Sequence, residues 1–231
     1  MPATTIIEIP CGPGGLAVKS YLVIGEQPIL VDSGLPGSAE TILSTLRRHA
    51  ILPTDLSLIL LTHGHLDHTG SARELHERSK APVAIHVADA EYLRTGTSAP
   101  VDGRTLIGKF LARAVKRADE STAGPQTAIE PHIVFDGDVS LKKFGVPGYI
   151  AHTPGHTHGS ISVMLDDGRA IVGDMLDSAA FRRDVPTAGM FAVDERALWE
   201  SIRHIVANRP MRTYASHCAP FTLAQLQRAF R

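Results

Sequence analysis

Several features that would point to particular function classes are missing from this chain of 231 residues. Cysteine occurs only at positions 11 and 218, so no disulfide framework holds the fold, and both thiols are expected to act as small core residues. Charge of one sign is missing too: 23 Lys and Arg against 24 Asp and Glu give a net charge of −1. Without a basic excess there is no electrostatic case for nucleic acid or an anionic membrane as the main partner. No apolar run approaches the length of a membrane span. The start, Met1-Pro2-Ala3-Thr4-Thr5-Ile6-Ile7-Glu8, lacks the basic end and long apolar stretch of a secretory signal. The expectation is a protein of the cytoplasm that acts on a small molecule. The length suits one domain over residues 1–231, and 43% hydrophobic residues suffice for a substantial core.

Histidine, by contrast, is plentiful. Five of the 12 histidines fall in two short stretches, 63–68 and 156–158. The first, Thr62-His63-Gly64-His65-Leu66-Asp67-His68, follows the apolar run Leu58-Ile59-Leu60-Leu61. If the strand continues, alternation turns His63 and His65 to the same side, and Asp67 and His68 follow at the turn. Imidazole and carboxylate are ligands of zinc and related first-row metals.

The remaining pattern alternates short strands with helices. Strands are expected at Ile6–Ile9, Val18–Ile24, Ile29–Val31, Asp55–Leu61 and Pro82–His86, with a turn at 11–15. Ser38 reads as the N-cap of a helix to about His49, and a second helix runs from Thr69 to about Arg78. Later strands are expected at Ile133–Phe135, Val139–Lys142, Tyr149–His152, Ile161–Leu165, Arg169–Val172 and Thr213–Ala215. Asp166-Asp167-Gly168 makes a hairpin turn. Asp194 caps a helix to about Ala207, and Thr222 opens the terminal one. Such a pattern predicts two packed sheets with helices outside.

Between about 88 and 131 lies a partly helical insertion. Leu106, Ile107, Phe110, Leu111, Ala114 and Val115 recur at helical spacing within Asp102–Arg117, among Arg104, Lys109, Arg113, Lys116 and Arg117. The plain expectation is a helix packed on the core with its charges in solvent. A lid over the metal site, or a contact in a homodimer, is the functional alternative.

Three further segments repeat the syntax of a strand ending on a metal-capable residue: His152–Ser160 with His156, Ala170–Asp174, and Tyr214–His217. Each is weak alone, since an Asp after a strand is usually a turn residue. Together with the first cluster they offer donors enough for two ions. His86, His152 and His158 are read as packed or solvent-facing side chains.

These residues resemble the metallo-β-lactamase superfamily over nearly the whole chain. The resemblance rests on H-x-H-x-D-H at 63–68, on Thr153-Pro154-Gly155-His156-Thr157 with Gly159-Ser160, on the distant Asp174 and His217, and on Val31-Asp32-Ser33-Gly34. It implies an α/β fold, a four-layer αββα sandwich of two mixed sheets. It further implies that His63, His65 and His156 hold one divalent metal, that Asp67, His68 and His217 hold another, and that Asp174 bridges them. Asp32 would orient a ligand from behind. Zinc is the first expectation for both ions, with manganese, iron or cobalt open to the same donors.

The chemistry so implied is hydrolysis of a small ester, lactone or thioester by a metal-bridging hydroxide, with Asp67 accepting or relaying the proton. Within the family, Asp174 argues against antibiotic hydrolysis, because the true β-lactamases lack that bridging carboxylate. Glyoxalase-II-like enzymes grip glutathione with a basic C-terminal segment, and the tail Phe221–Arg231 has few cations for this. Lactonases of acyl-homoserine lactones commonly carry Tyr three residues after the bridging Asp, where Asp177 stands here. A mononuclear iron sulfur-dioxygenase-like enzyme and a phosphodiesterase of the same fold are the alternatives. A non-catalytic metal-binding module is disfavoured because no expected ligand is missing.

Overall fold

The computed structural model describes residues 4–12, 18–179 and 182–230. Strands β1 (Thr5–Cys11), β2 (Val18–Ile24), β3 (Pro28–Val31), β4 (Leu58–Leu60), β5 (Val83–His86) and β6 (Ile133–Phe135) form one sheet in chain order. β1 to β3 pair antiparallel, and β3 to β6 pair parallel. Each parallel step needs a crossover. Helix α1 (Ala39–Arg48) makes the first, α2 (Leu66–Thr69) and α3 (Ala72–Ser79) the second, and α4 (Ala90–Thr95) and α5 (Leu106–Thr122) the third.

The second half supplies β7 (Val139–Ser140), β8 (Gly148–His152), β9 (Ile161–Leu165) and β10 (Arg169–Ile171), then a separate hairpin of β11 (Leu176–Ala179) and β12 (Arg182–Ala188). Helix α6 (Glu195–Ala207), β13 (Arg212–Tyr214), β14 (Phe221–Thr222) and α7 (Leu223–Ala229) complete it. The second sheet runs β14-β13-β10-β9-β8-β7, antiparallel except for the parallel pair β10 and β13.

Side-chain alternation sorts each strand into two cores. Leu22, Leu30 and Ile59 pack outward with Ile42, Leu43 and Leu46 of α1 and Leu75 of α3. Their neighbours Tyr21, Val23, Ile29, Val31, Leu58 and Leu60 pack inward on Ile150, Ile161, Val163 and Ile171 of the other sheet. That sheet's outer face, with Met164, Ala170 and Val172, is covered by Leu198, Ile202 and Ile205 of α6 and Leu226 of α7. The layers are therefore helix, sheet, sheet, helix, as expected. On α1 the anchors Ile42, Leu43 and Leu46 are essentially inaccessible, each stabilising by about 1.5–3 kcal/mol relative to exposure.

Local signals behave unevenly. Asp194 caps α6 by accepting from the Ala197 N–H at 2.9 Å, and Thr222 forms a capping box with Gln225 at the start of α7. Ser38 occupies the N-cap of α1 without capping it through its side chain; instead its backbone N–H donates to Ser71 Oγ at 2.9 Å. The expected turn at 11–15 falls largely outside the described residues. Both cysteines are free and buried. Hairpin β11–β12 has no counterpart in the sequence pattern, because Asp177, Ser178, Arg182 and Asp184 interrupt any apolar alternation.

Helix α5 departs from its expected packing. It extends to Thr122, and only Gly108 and Ala112 are buried. Leu106 is 87% exposed and Phe110 71%, and Ile107, Leu111 and Val115 are exposed as well. Its buried side is the narrow small-residue face, because Gly108 is pressed against Gly103 and the Met190 carbonyl. The apolar face points to solvent. Among the described residues no helix is long and apolar enough to cross a membrane.

Candidate metal centre

The polar residues that follow strand ends collect at one edge of the two sheets. β3 ends at Val31 and Asp32 follows; β4 ends at Leu60 and leads into 62–68; β10 and β13 lead into Asp174 and His217. Backbone bonds stitch these loops together: Asp32 N–H to Leu60 O at 2.8 Å, Ile161 N–H to Thr62 O at 2.9 Å, and Ser216 N–H to Gly173 O at 3.1 Å.

Strand alternation is not what aims His63 and His65. β4 stops at Leu60, so both lie in the loop beyond it, and α2 begins at Leu66, three residues before the helix expected from Thr69. Asp67 and His68 thus stand in a single helical turn, and the chain breaks at Gly70 and Ser71 before α3 resumes. Loop curvature and the helical turn, rather than pleat, bring the donors together.

All seven residues expected to bind metal converge. His63, His65, His156 and Asp174 form one group of donor atoms, and Asp67, His68, Asp174 and His217 form another, with Asp174 common to both. In the first, His63 Nε2, His65 Nδ1 and His156 Nε2 stand 3.0–3.2 Å from one another. In the second, Asp174 Oδ1 is 3.3 Å from His68 Nε2, and its Oδ2 is 3.1 Å from His217 Nε2. Asp67 Oδ2 lies 3.4 Å from His217 Nε2 and 3.7 Å from His68 Nε2.

The far nitrogens are occupied. His156 Nδ1 donates to Phe191 O at 3.0 Å and His65 Nε2 to Pro100 O at 3.3 Å. The Thr62 hydroxyl donates to Asp32, so its oxygen accepts from His63 Nδ1 at 3.0 Å. Asp32 also accepts from His68 Nδ1 at 2.9 Å and from the Thr62 N–H at 2.7 Å. The three imidazoles of the first group therefore turn a lone pair into the cluster, as metal-ligating histidines do, and His68 aims Nε2 there. Asp32 reaches these partners from a left-handed backbone, φ 63°, a conformation that Asp tolerates better than most residues and that tends to mark functional sites.

This donor set fits divalent ions. Three inward lone pairs have no proton to share, and a tetrahedral ion with bonds of about 2.0–2.1 Å would hold such nitrogens about 3.3 Å apart. His68 Nε2 and Asp174 Oδ1, buried 3.3 Å apart, share no well-directed hydrogen bond and have no other partner, and buried groups left so are costly unless something binds them.

Protonation separates the two groups. Burial lowers His63 well below its ordinary value, with nearby imidazolium charge adding to the effect; burial and His156 lower His65 to about 3. His156 is lowered by burial as well. In the second group burial also opposes charge, but the carboxylates outweigh it. Asp174 and Asp67 raise His68 well above its usual value and His217 to about 10. Burial would raise Asp67, yet His68 and the bond from His217 bring it to about 2. Asp174 is likewise held well below the ordinary carboxylate value, by His217 and His68 against burial.

Comparison with known proteins places this arrangement. The model of the metallo-beta-lactamase superfamily matches residues 13–217. This chain belongs to that superfamily. A probable metallo-hydrolase of Methanocaldococcus jannaschii is 32% identical over 174 residues, 75% of this chain and 74% of the relative. One of Bacillus subtilis is 29% identical over 96% of this chain and 91% of its own length. Among solved structures, TTHA1623 in a di-iron-bound form is 27% identical with a TM-score of 0.68, covering 95% of this chain and 97% of that one. The BLEG-1 B3 metallo-beta-lactamase superposes at TM-score 0.71 over 96% of this chain and 95% of that one. At 22% identity it shares the superfamily fold and carries no argument about activity.

Other residues stand apart from the cluster or escaped the sequence reading. His158 is exposed, and its carbonyl accepts from His152 Nε2 at 3.0 Å. His86 is buried and stacks on His152 with ring centroids 4.0 Å apart. Thr62, the carbonyls of Pro100 and Phe191, and Asp89 contact the ligand loops or their side chains. None could be read from the sequence, since a carbonyl has no residue signature and Asp89 looks like any helix N-cap.

Proposed function

We propose that this superfamily member is a dinuclear metal-dependent hydrolase of small esters, lactones or thioesters. The observation that carries it is Asp174, whose two carboxylate oxygens serve both donor groups, Oδ1 toward His68 and Oδ2 toward His217 and His156 at 3.7 Å. A mononuclear centre would leave Asp67, His68 and His217 without a role. Bound there, two divalent cations supply Lewis acidity and activate water at neutral pH. His63, His65 and His156 would hold one ion, and Asp67, His68 and His217 the other, with Asp174 between them.

The chain's own groups serve the rest. Asp67 is ionised at neutral pH and about one-third exposed, so it can receive a proton at the mouth of the site. Beside His65, residues Ser98, Ala99 and Pro100 join Lys116 and Asp119 of α5 around a cavity of about 510 Å³, a volume that suits a small substrate. Zinc is the proposed metal. Iron is the alternative, supported by the di-iron-bound relative.

The test is elemental analysis of the purified protein, followed by assays of the fully metallated form on lactones, thioesters, simple esters, β-lactams and phosphodiesters. Two ions per chain with ester, lactone or thioester turnover is the expected result. Turnover of none of these three classes would overturn it, and cleavage of phosphodiesters alone would move the protein to another branch.

A further inference from the structure

Asp89 is a buried carboxylate, 1% exposed, that the proposed reaction does not use. It stands at the N-cap of α4, where an Asp side chain ordinarily accepts from its own helix, yet it makes no such bond. Its acceptors are spent elsewhere. Oδ2 accepts from the Gly64 N–H at 2.8 Å and from the Thr157 hydroxyl at 2.6 Å, and Oδ1 accepts from the Gly159 N–H at 2.9 Å. Gly64 lies between His63 and His65, and Thr157 follows His156. One carboxylate on the first sheet's crossover thus ties together the two loops that carry three donors of one group.

The glycines give independent support. A Cβ on Gly159 would fall 2.6 Å from Asp89 Cγ and 2.7 Å from its Oδ1, and one on Gly64 would meet Asp89 Cβ at 3.2 Å. Both loops approach the carboxylate so closely that only glycine fits without a shift. A second hydroxyl completes the network: Ser160 Oγ accepts from the Thr157 N–H at 2.9 Å and lies 2.8 Å from Thr157 Oγ1. Three donors on a buried anion make strong, geometrically specific bonds.

We propose that Asp89 is a positioning residue which sets the spacing of the His63–His65 loop against the His156 loop, and so the affinity and geometry of the buried donor group. The inference rests on the metal-binding reading above. Replacing Asp89 by Asn keeps the volume but turns an amide NH2 toward Gly64 and Thr157 or toward Gly159, setting donor against donor and releasing one loop.

The experiment loads wild-type, Asp89→Asn and Thr157→Val proteins with cobalt(II). It measures affinity by competition with a chromophoric chelator, records the visible absorption of the bound ion, and follows thermal unfolding of the metal-free forms. Expected for D89N is a 10–100-fold loss of affinity, the range seen when a group supporting a ligand is removed, with an altered visible spectrum. T157V, which removes one of the three bonds and conserves shape, should lose less. Wild-type affinity and an unchanged spectrum in D89N would overturn the proposal. If D89N fails to fold, T157V decides alone: unchanged affinity and spectrum there overturn it. Wild-type protein that takes up no metal would defeat the metal-binding reading itself, a result separable from two intact sites in D89N.

Discussion

The two donor groups share Asp174 and little else. His63, His65 and His156 are buried, supported by neutral acceptors or a hydroxyl, and held unprotonated by burial. Asp67 and His217 are each about one-third exposed, and with His68 they form a set in which carboxylates keep imidazoles charged. The first group is thus ready for a cation as it stands. The second holds protons that a cation must displace, so its loading depends more steeply on pH. Under the proposed function, the difference implies a division of labour: a closed set suits holding an ion, and an open, acidic set suits handling protons and substrate.

Breaking the shared element should have the largest effect. Asp174→Ala removes a donor from both groups, and we expect metal content to fall below two per chain and turnover to drop by at least about 10³-fold, the scale of several kcal/mol of lost charge stabilisation. Elemental analysis beside steady-state kinetics measures this; retention of two ions and full activity would contradict the bridging role. Asp67→Ala touches only the open group. It should cost about 10²–10⁴-fold in turnover, as loss of a proton acceptor does, while circular dichroism stays that of the folded protein. A fully active variant would remove Asp67 from the mechanism.

Thr62→Val acts behind the closed group, freeing His63 Nδ1 and one set of bonds to Asp32. About tenfold weaker metal binding is expected, with competition titration as the readout, and an effect confined to the open group would reverse the assignment of Thr62.

The smallest effect concerns the metal-free protein, followed by thermal unfolding in chelator across pH. His65 sits near 3 when folded and near 6.5 when unfolded, so the unfolded chain binds more protons between those values, and stability falls as pH drops below about 6.5. His217 sits near 10 when folded, so the folded chain binds more protons from about 6.5 upward, and stability falls as pH rises toward 10. Asp67, near 2 when folded, adds a loss as pH falls from its ordinary value through 2. His65→Ala should flatten the acid limb and His217→Ala the alkaline limb. The same limb flattening in both variants would erase the distinction between the groups.

Much of this was legible in the chain. β2, β6 and β9 fall within the bounds that alternation predicts, and the caps Asp194 and Thr222 mark α6 and α7. The donor residues were legible because metal chemistry draws on few residue types and they sit just beyond apolar runs. Strand pleat does not aim His63 and His65, which lie beyond the end of β4, since a strand's end is decided by its neighbours' hydrogen bonds rather than by its own residues. Helix α5 was legible as a helix but not in its orientation: periodicity identifies an apolar face without saying whether anything covers it. Hairpin β11–β12 was hidden because Asp177, Ser178, Arg182 and Asp184 break up any apolar alternation in its strands.

By itself, then, the sequence determined most of the elements and the set of residues able to bind a cation, because each follows from local periodicity or side-chain chemistry. Only the tertiary structure decided which donors face one another, which nitrogen of each imidazole is free, and that Asp89 ties the loops together. Most of those depend on contacts between residues distant in the chain, such as Gly64 with Asp89, His63 with His156 and Asp67 with His217, and no local pattern encodes a distance across two sheets.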